Sequence, residues 1–242
     1  DRLGLSSRPM NVAGVDGCHG GWLVVRAQAT PSALCLEEPF VVETFQDVLS
    51  RTLDCAVVAA DMPIGLSESG PREADGEARR LLGPRHVCVF TPPVRAVVAA
   101  MRPEWFVKRA GYRDACEVSK KASGKKISQQ TFSILPKISE VDKNMTRKLH
   151  ERVVETHPEV SFWALNGKRA LLSRKRASEG QEKRRALLSS VVDRDVGQLI
   201  SPASAARDDV YDACICAWTA GRLISGLAQH LPEDPPTDIR GL

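Results

Sequence analysis

Aromatic residues are scarce in this chain: Phe, Trp and Tyr make up 5% of its 242 residues. A protein that binds mainly by stacking bases or sugars on flat side chains needs more of them. No Cys-x-x-Cys pair occurs among the seven cysteines, and their number is odd. Several sit in apolar runs, such as Cys55-Ala-Val-Val and Ala213-Cys-Ile-Cys. They read as small buried side chains in a reducing, cytoplasmic setting, which excludes a disulfide frame or a zinc site. No apolar run approaches the ~20 residues of a membrane-crossing helix, so no membrane partner is expected. Residues 1–9 are polar, lack an apolar signal core and read as a leader or tag before Met10. A Gly-rich Walker-type phosphate loop is also missing.

What is present is an ordinary supply of core. Apolar residues make up 43% and charged residues 26%, enough for a folded domain and too balanced for bulk disorder. We read one domain over residues 10–226, with a helical insertion at about 94–150 and a flexible tail at 227–242. The net charge of +4 hides an asymmetry. Residues 120–185 hold 17 Lys and Arg against 7 Asp and Glu, a net of +10. A polyanion such as DNA or RNA fits that field, and a solvated helical face is the plainer alternative.

Strands are predicted over Asn11–Val15, Trp22–Gln28, Leu34–Glu43, Ala56–Ala60 and Arg152–His157. Ala56–Ala60 is apolar on both faces, as a central strand is, and stops before Pro63. Helices are predicted over Phe45–Leu53, Glu73–Leu82, Val94–Met101, Glu104–Lys121, Ser128–Met145, Pro158–Leu165, Arg184–Val192 and Asp208–Ser225. Pro136 should kink or break the fifth of these. A hairpin-led meander followed by alternating helices and strands gives an α/β fold with a mixed five-stranded sheet and helices on both faces.

The chemistry lies in carboxylates. Asp16 follows one apolar strand and Asp61 ends another, and ligands gather at such strand ends in open α/β sheets. Asp209 and Asp212 are spaced i, i+3 on the last helix, hence on one face. Each has a structural alternative: Asp16-Gly17 is a hairpin-turn dipeptide, Asp61 can cap a loop, and Asp208-Asp209 can cap a helix. Asp212 is harder to dismiss, because it stands one turn into an apolar helix. Carboxylates ~4 Å apart repel by about 4 kcal/mol at an effective dielectric of ~20, so a cluster needs cations. All-oxygen ligands select hard ions, Mg²⁺ or Mn²⁺, which activate water in phosphodiester cleavage.

These residues belong to six blocks that occur in order: Gly14-Val-Asp-Gly-Cys-His-Gly-Gly-Trp, Asp61-Met-Pro-Ile-Gly-Leu, Arg72-Glu-Ala-Asp-Gly-Glu-Ala-Arg, Gln130-Thr-Phe-Ser-Ile-Leu-Pro-Lys-Ile, Glu155-Thr-His-Pro-Glu-Val-Ser-Phe and Asp208-Asp-Val-Tyr-Asp-Ala. Together they resemble the predicted RNase H-like nuclease family, which is catalogued as a domain of unknown function. The resemblance implies an RNase H-like fold and a relation to the Holliday-junction resolvase branch. That branch carries one acid on its first strand, one at the end of the fourth and an Asp-x-x-Asp pair on its last helix. By position these are similar to Asp16, Asp61, Asp209 and Asp212, the implied catalytic and metal-binding set. The resolvases usually carry Glu where this chain has the shorter Asp61. Glu155 is a further catalytic candidate. His157, Gln130, Lys137 and Arg95 are candidates for contact with substrate, Arg95 from a family-like loop, Phe90-Thr-Pro-Pro-Val-Arg, whose role the sequence does not give.

The leading expectation is a metal-dependent nuclease, hence a hydrolase. A non-catalytic nucleic-acid or protein-binding module on the same fold is the first alternative, and salt-dependent binding without turnover would mark it. A phosphotransferase or ATPase of the related actin-like superfold is the second, and Mg²⁺-dependent stabilisation by ATP would mark it.

Overall fold

The computed structural model describes residues 8–30, 33–107 and 110–242, so most of the expected leader lies outside the described residues. The chain divides into two units: residues up to Met62 with Lys148–Gln229, and Pro63–Arg147 with His230–Leu242. The strands among the described residues are β1 (Met10–Cys18), β2 (Gly21–Ala29), β3 (Leu34–Leu36), β4 (Phe40–Val42), β5 (Val57–Ala60) and β6 (Val153–Glu155). The α-helices are α1 (Phe45–Arg51), α2 (Glu73–Leu82), α3 (Arg95–Ala99), α4 (Glu104–Val107), α5 (Gly111–Ser123), α6 (Gln129–Asn144), α7 (Arg147–His150), α8 (Pro158–Leu165), α9 (Ser178–Ser189) and α10 (Arg207–Ile224).

The first unit holds the sheet. Its order is β3-β2-β1-β5-β6, with β4 also on β2. β1 and β2 are antiparallel, while β1, β5 and β6 run parallel. This is a mixed α/β sheet of six strands, one more than expected. The extra strand comes from Leu34–Glu43, which forms β3 and β4, both paired to β2. Pro39 lies between them and has no N–H to give a ladder.

β1 is longer than its apolar run suggests. It pairs with β2 from Met10 opposite Ala29 to Cys18 opposite Gly21, so the hairpin loop is His19-Gly20. Asp16-Gly17, a turn dipeptide by sequence, lies inside the strand, with Asp16 opposite Leu23. The two-residue loop fixes the register, and that register buries Trp22, Leu23, Val24 and Val25 completely.

The α10 face of the sheet is built by alternation. Val12, Leu23, Val25, Ala27 and Ala59 share a core with Val210, Ala213, Ile215, Cys216, Ala217 and Ala220. The helix backbone lies directly on β1: a Cβ on Gly14 would stand 2.0 Å from the Ala213 carbonyl oxygen and 2.2 Å from the Ala217 nitrogen. On the opposite face Trp22 meets Phe45 of α1 edge to face, with centroids 5.1 Å apart. Helices therefore cover both faces, as the sequence predicts.

The second unit is helical and larger than the expected insertion. It begins at Pro63 and takes in His230–Leu242. Leu135, Ile138, Val141 and Met145 are all buried along α6. Pro136 does not divide this helix, because its side lies exposed, where water can serve the carbonyl left without a donor. Glu104–Lys121, expected as one helix, is α4 and α5.

The end of the chain is tied down rather than flexible. Asp238 accepts from the Leu66, Arg240 and Leu242 backbone N–H groups and pairs with Arg95. Arg240 donates to the Asp142 and Met145 carbonyls, both at 2.8 Å. Leu242 itself is buried.

Candidate metal centre

Three carboxylates meet in the first unit. Asp16, Asp61 and Asp212 each offer an oxygen, and these atoms lie within 4.8 Å of one another. Each position follows from the packing. Asp16 is two residues past Gly14, on the face where α10 rests on β1. The Asp61 N–H donates to the Val15 carbonyl at 2.8 Å. This extends the β1–β5 ladder and carries Asp61 alongside Asp16. Asp212 immediately precedes Ala213, the residue whose carbonyl closes over Gly14.

The group is electrostatically uneasy. Asp16 is 7% exposed and Asp212 2%. Burial, then the Asp61 and Asp212 charges, hold the Asp16 carboxyl well above the usual range. Burial and Asp212 push Asp61 up to about 8. Burial pushes Asp212 up to about 6, with Lys175 opposing. Lys175 Nζ lies 2.7 Å from Asp212 Oδ2 and 3.6 Å from Asp208 Oδ2. The other oxygen, Asp212 Oδ1, is buried and has no hydrogen-bond partner among the described residues. A buried carboxylate oxygen without a donor is costly, and a cation among the three acids would satisfy it. The donors are all oxygen, which suits a hard divalent ion.

The pH dependence of stability follows with a definite sign. Carboxyls raised above their unfolded value of 3.8 hold protons in the native state that the unfolded chain releases. Native stability therefore falls as pH rises from about 4 towards 8, by about 1.4 kcal/mol per unit for each such proton. Thermal melts in chelator at pH 5, 6, 7 and 8 should show a falling midpoint. A midpoint that rose across that series would contradict the placement of these acids.

The remaining candidates are distributed otherwise. Asp209 accepts from the Ala206 N–H at 2.9 Å and so caps α10. Asp208, 3% exposed, pairs with Lys175 and with Arg176 Nε at 3.2 Å. The Asp-x-x-Asp pair is thus split: Asp212 enters the cluster, and Asp209 holds the helix end. Glu155 stands opposite Ala60 in the parallel register. By alternation it lies on the sheet face away from Ala59 and α10, and its charge acts on Asp61. His157 precedes α8, and its carbonyl accepts from Val160 and Ser161.

Gln130 and Lys137 lie on α6 in the second unit, as does Arg95 on α3. Arg95 is occupied within that unit. It pairs with Glu68 at 3.1 Å, Asp142 at 3.1 Å and Asp238. These three ion pairs tie separate parts of the second unit together.

Two residues at the site escaped the sequence reading. Lys175 sits in Arg174-Lys-Arg with nothing to mark the middle residue. Arg184 has no exposure at all; it pairs with Glu159, donates to the Gly180 carbonyl at 3.1 Å and lies 5.3 Å over the Phe162 ring. A signal for Arg184 existed: Gly180, Arg184 and Leu188 recur every four residues and form the buried stripe of α9.

With fold and site in view, the chain belongs to the family described as "Protein of unknown function (DUF429)", whose profile matches residues 14–237. None of the curated proteins compared with the chain matches it. Among solved structures it is similar to Thermus thermophilus RuvC, at 13% identity over 90% of this chain and 98% of that one, with a TM-score of 0.35. It is similar also to T. thermophilus RuvC in complex with Holliday junction substrate, at 13% identity over 94% and 99%, with a TM-score of 0.36. No helix among the described residues is long and apolar enough to cross a membrane.

Proposed function

We propose that this protein is a metal-dependent phosphodiesterase acting on nucleic acid, with Asp16, Asp61 and Asp212 as its metal ligands. One observation carries the reading: three buried or half-buried carboxylates converge within 4.8 Å, and one of their buried oxygens has no donor among the described residues. Bound there, Mg²⁺ or Mn²⁺ would neutralise the acids, polarise a phosphoryl oxygen and lower the pKa of a water nucleophile.

The protein's own part is to hold that geometry. β1 and β5 fix two acids through the backbone ladder, and α10, packed on the same face of the sheet, fixes the third. Phosphate contact falls to cations beside the cluster. Residues 168–176 carry five Lys and Arg and no acid, and the Arg176 side chain is 81% exposed. Such contacts position a backbone without reading its sequence. The reading places the protein in a reducing compartment, the cytoplasm, where its free thiols persist.

The test is a panel of labelled duplex, single-stranded, four-way-junction and RNA substrates with Mg²⁺, with Mn²⁺ and with chelator. Cleavage of at least one substrate, abolished by chelator, is expected. Folded protein that cleaves none of them with either ion would overturn the reading in favour of a binding module.

A further inference from the structure

We infer that Lys175 stands in the place of a second cation, so that the centre takes a single divalent ion. This rests on the metal-centre reading above and narrows it. Phosphodiester chemistry is commonly served by two ions ~3.5–4 Å apart, bridged and flanked by acids. The carboxylates here do not supply that set. Asp209 Oδ2 accepts the Ala206 N–H at 2.9 Å, and Asp209 stands outside the group of carboxylates that meet within 4.8 Å. Asp208 faces Arg176 and Lys175. Glu155 lies on the other face of the sheet. Three ligands remain, and Lys175 already covers one side of them, 2.7 Å from Asp212 Oδ2.

The charge balance agrees. Three ionised acids and one ammonium leave two negative charges, which one divalent ion cancels. A second divalent ion would leave the centre positive and would have to sit against the lysine. The two Asp212 oxygens divide the work: Oδ2 takes the ammonium, and Oδ1, buried without a donor among the described residues, would be the one to hold the ion. Lys175 comes from the chain between α8 and α9, and its side chain is 38% exposed. It can therefore also reach a phosphate bound at the metal, a role open to a flexible ammonium.

Calorimetric titration with Mn²⁺ of chelator-stripped protein, with folding checked by circular dichroism, decides this. The wild type should bind one Mn²⁺ per chain. Lys175→Met should bind a second equivalent, or the first at least about tenfold more tightly, since a repelling charge is gone. Lys175→Arg, which keeps the charge, should still bind one. Two equivalents in the wild type, or Lys175→Met with count and affinity unchanged or weakened, would overturn the inference and leave the metal centre standing. No Mn²⁺ bound by folded wild type would instead remove the metal centre itself.

Discussion

Asp61→Asn should abolish metal-dependent cleavage, by about a thousandfold or more, and at the same time make the metal-free protein more stable. The first effect follows from losing one of three ligands, since metal stabilisation of a phosphoryl transition state is worth several kcal/mol. The second follows from repulsion. Asp61 is pushed up to about 8 chiefly by burial and then by Asp212, so at pH 8 its charge opposes folding. An amide removes that charge, and a gain of about 2 kcal/mol is expected in chelator. Asp212→Asn should lose activity equally but gain much less stability. Its carboxylate also answers Lys175 at 2.7 Å, and removing it strands the ammonium. A carboxylate kept for packing would show neither the opposition between activity and stability nor the difference between the two variants. Chelator melts and cleavage rates of the three proteins, measured side by side, check both.

Gly14→Val should unfold the first unit or cost at least about 3 kcal/mol, although position 14 bears no reactive group. Its Cβ would stand 2.0 Å from the Ala213 oxygen and 2.2 Å from the Ala217 nitrogen, both backbone atoms of α10 that no rotamer change can move. The helix must retreat from β1, and overpacking of a tight core is destabilising. Where the variant folds, Asp212 is carried away from Asp16, and metal binding should be lost with it. Gly76→Ala on α2 is the control. Nothing lies within 4 Å of its Cβ, and helix propensity alone predicts a gain of about 0.5–1 kcal/mol. Urea melts of both variants, followed by Mn²⁺ titration, separate a helix displaced by crowding from a general intolerance of glycine substitution.

The acids and the sheet were legible in the sequence for different reasons. Ala56–Ala60 is apolar at every position, which only a strand covered on both faces requires, and β5 is buried from Val58 to Ala60. Asp212 stood out because a charge inside an apolar helix needs a partner. β1 was read as ending at Val15 because Asp16-Gly17 carries turn chemistry, which competes with pairing register, and here the register of two nine-residue strands won. Asp209 was placed with the metal ligands because i, i+3 spacing gives a shared face but not the fate of each side chain; the first turn of α10 had a free N–H to satisfy, and Asp209 took it. Lys175 and Arg184 lie in runs of identical charge, where composition cannot single out one member. The carboxylate partners of Arg95, a candidate substrate contact in the sequence, are Glu68, Asp142 and Asp238, too distant in sequence to be foreseen. The tail was read as flexible for the same reason: the chain that fixes Asp238 and Arg240 lies about a hundred residues or more away.

The central claim is that Asp16, Asp61 and Asp212 form a divalent-cation site. The most direct measurement is thermal melting at pH 8 in chelator and in Mn²⁺, for the wild type and for Asp61→Asn. Mn²⁺ should raise the wild-type midpoint by several degrees, because an ion bound only by the native state stabilises it by mass action. It should leave the Asp61→Asn midpoint where chelator puts it. An equal Mn²⁺ shift in both proteins, or none in either, would contradict the claim.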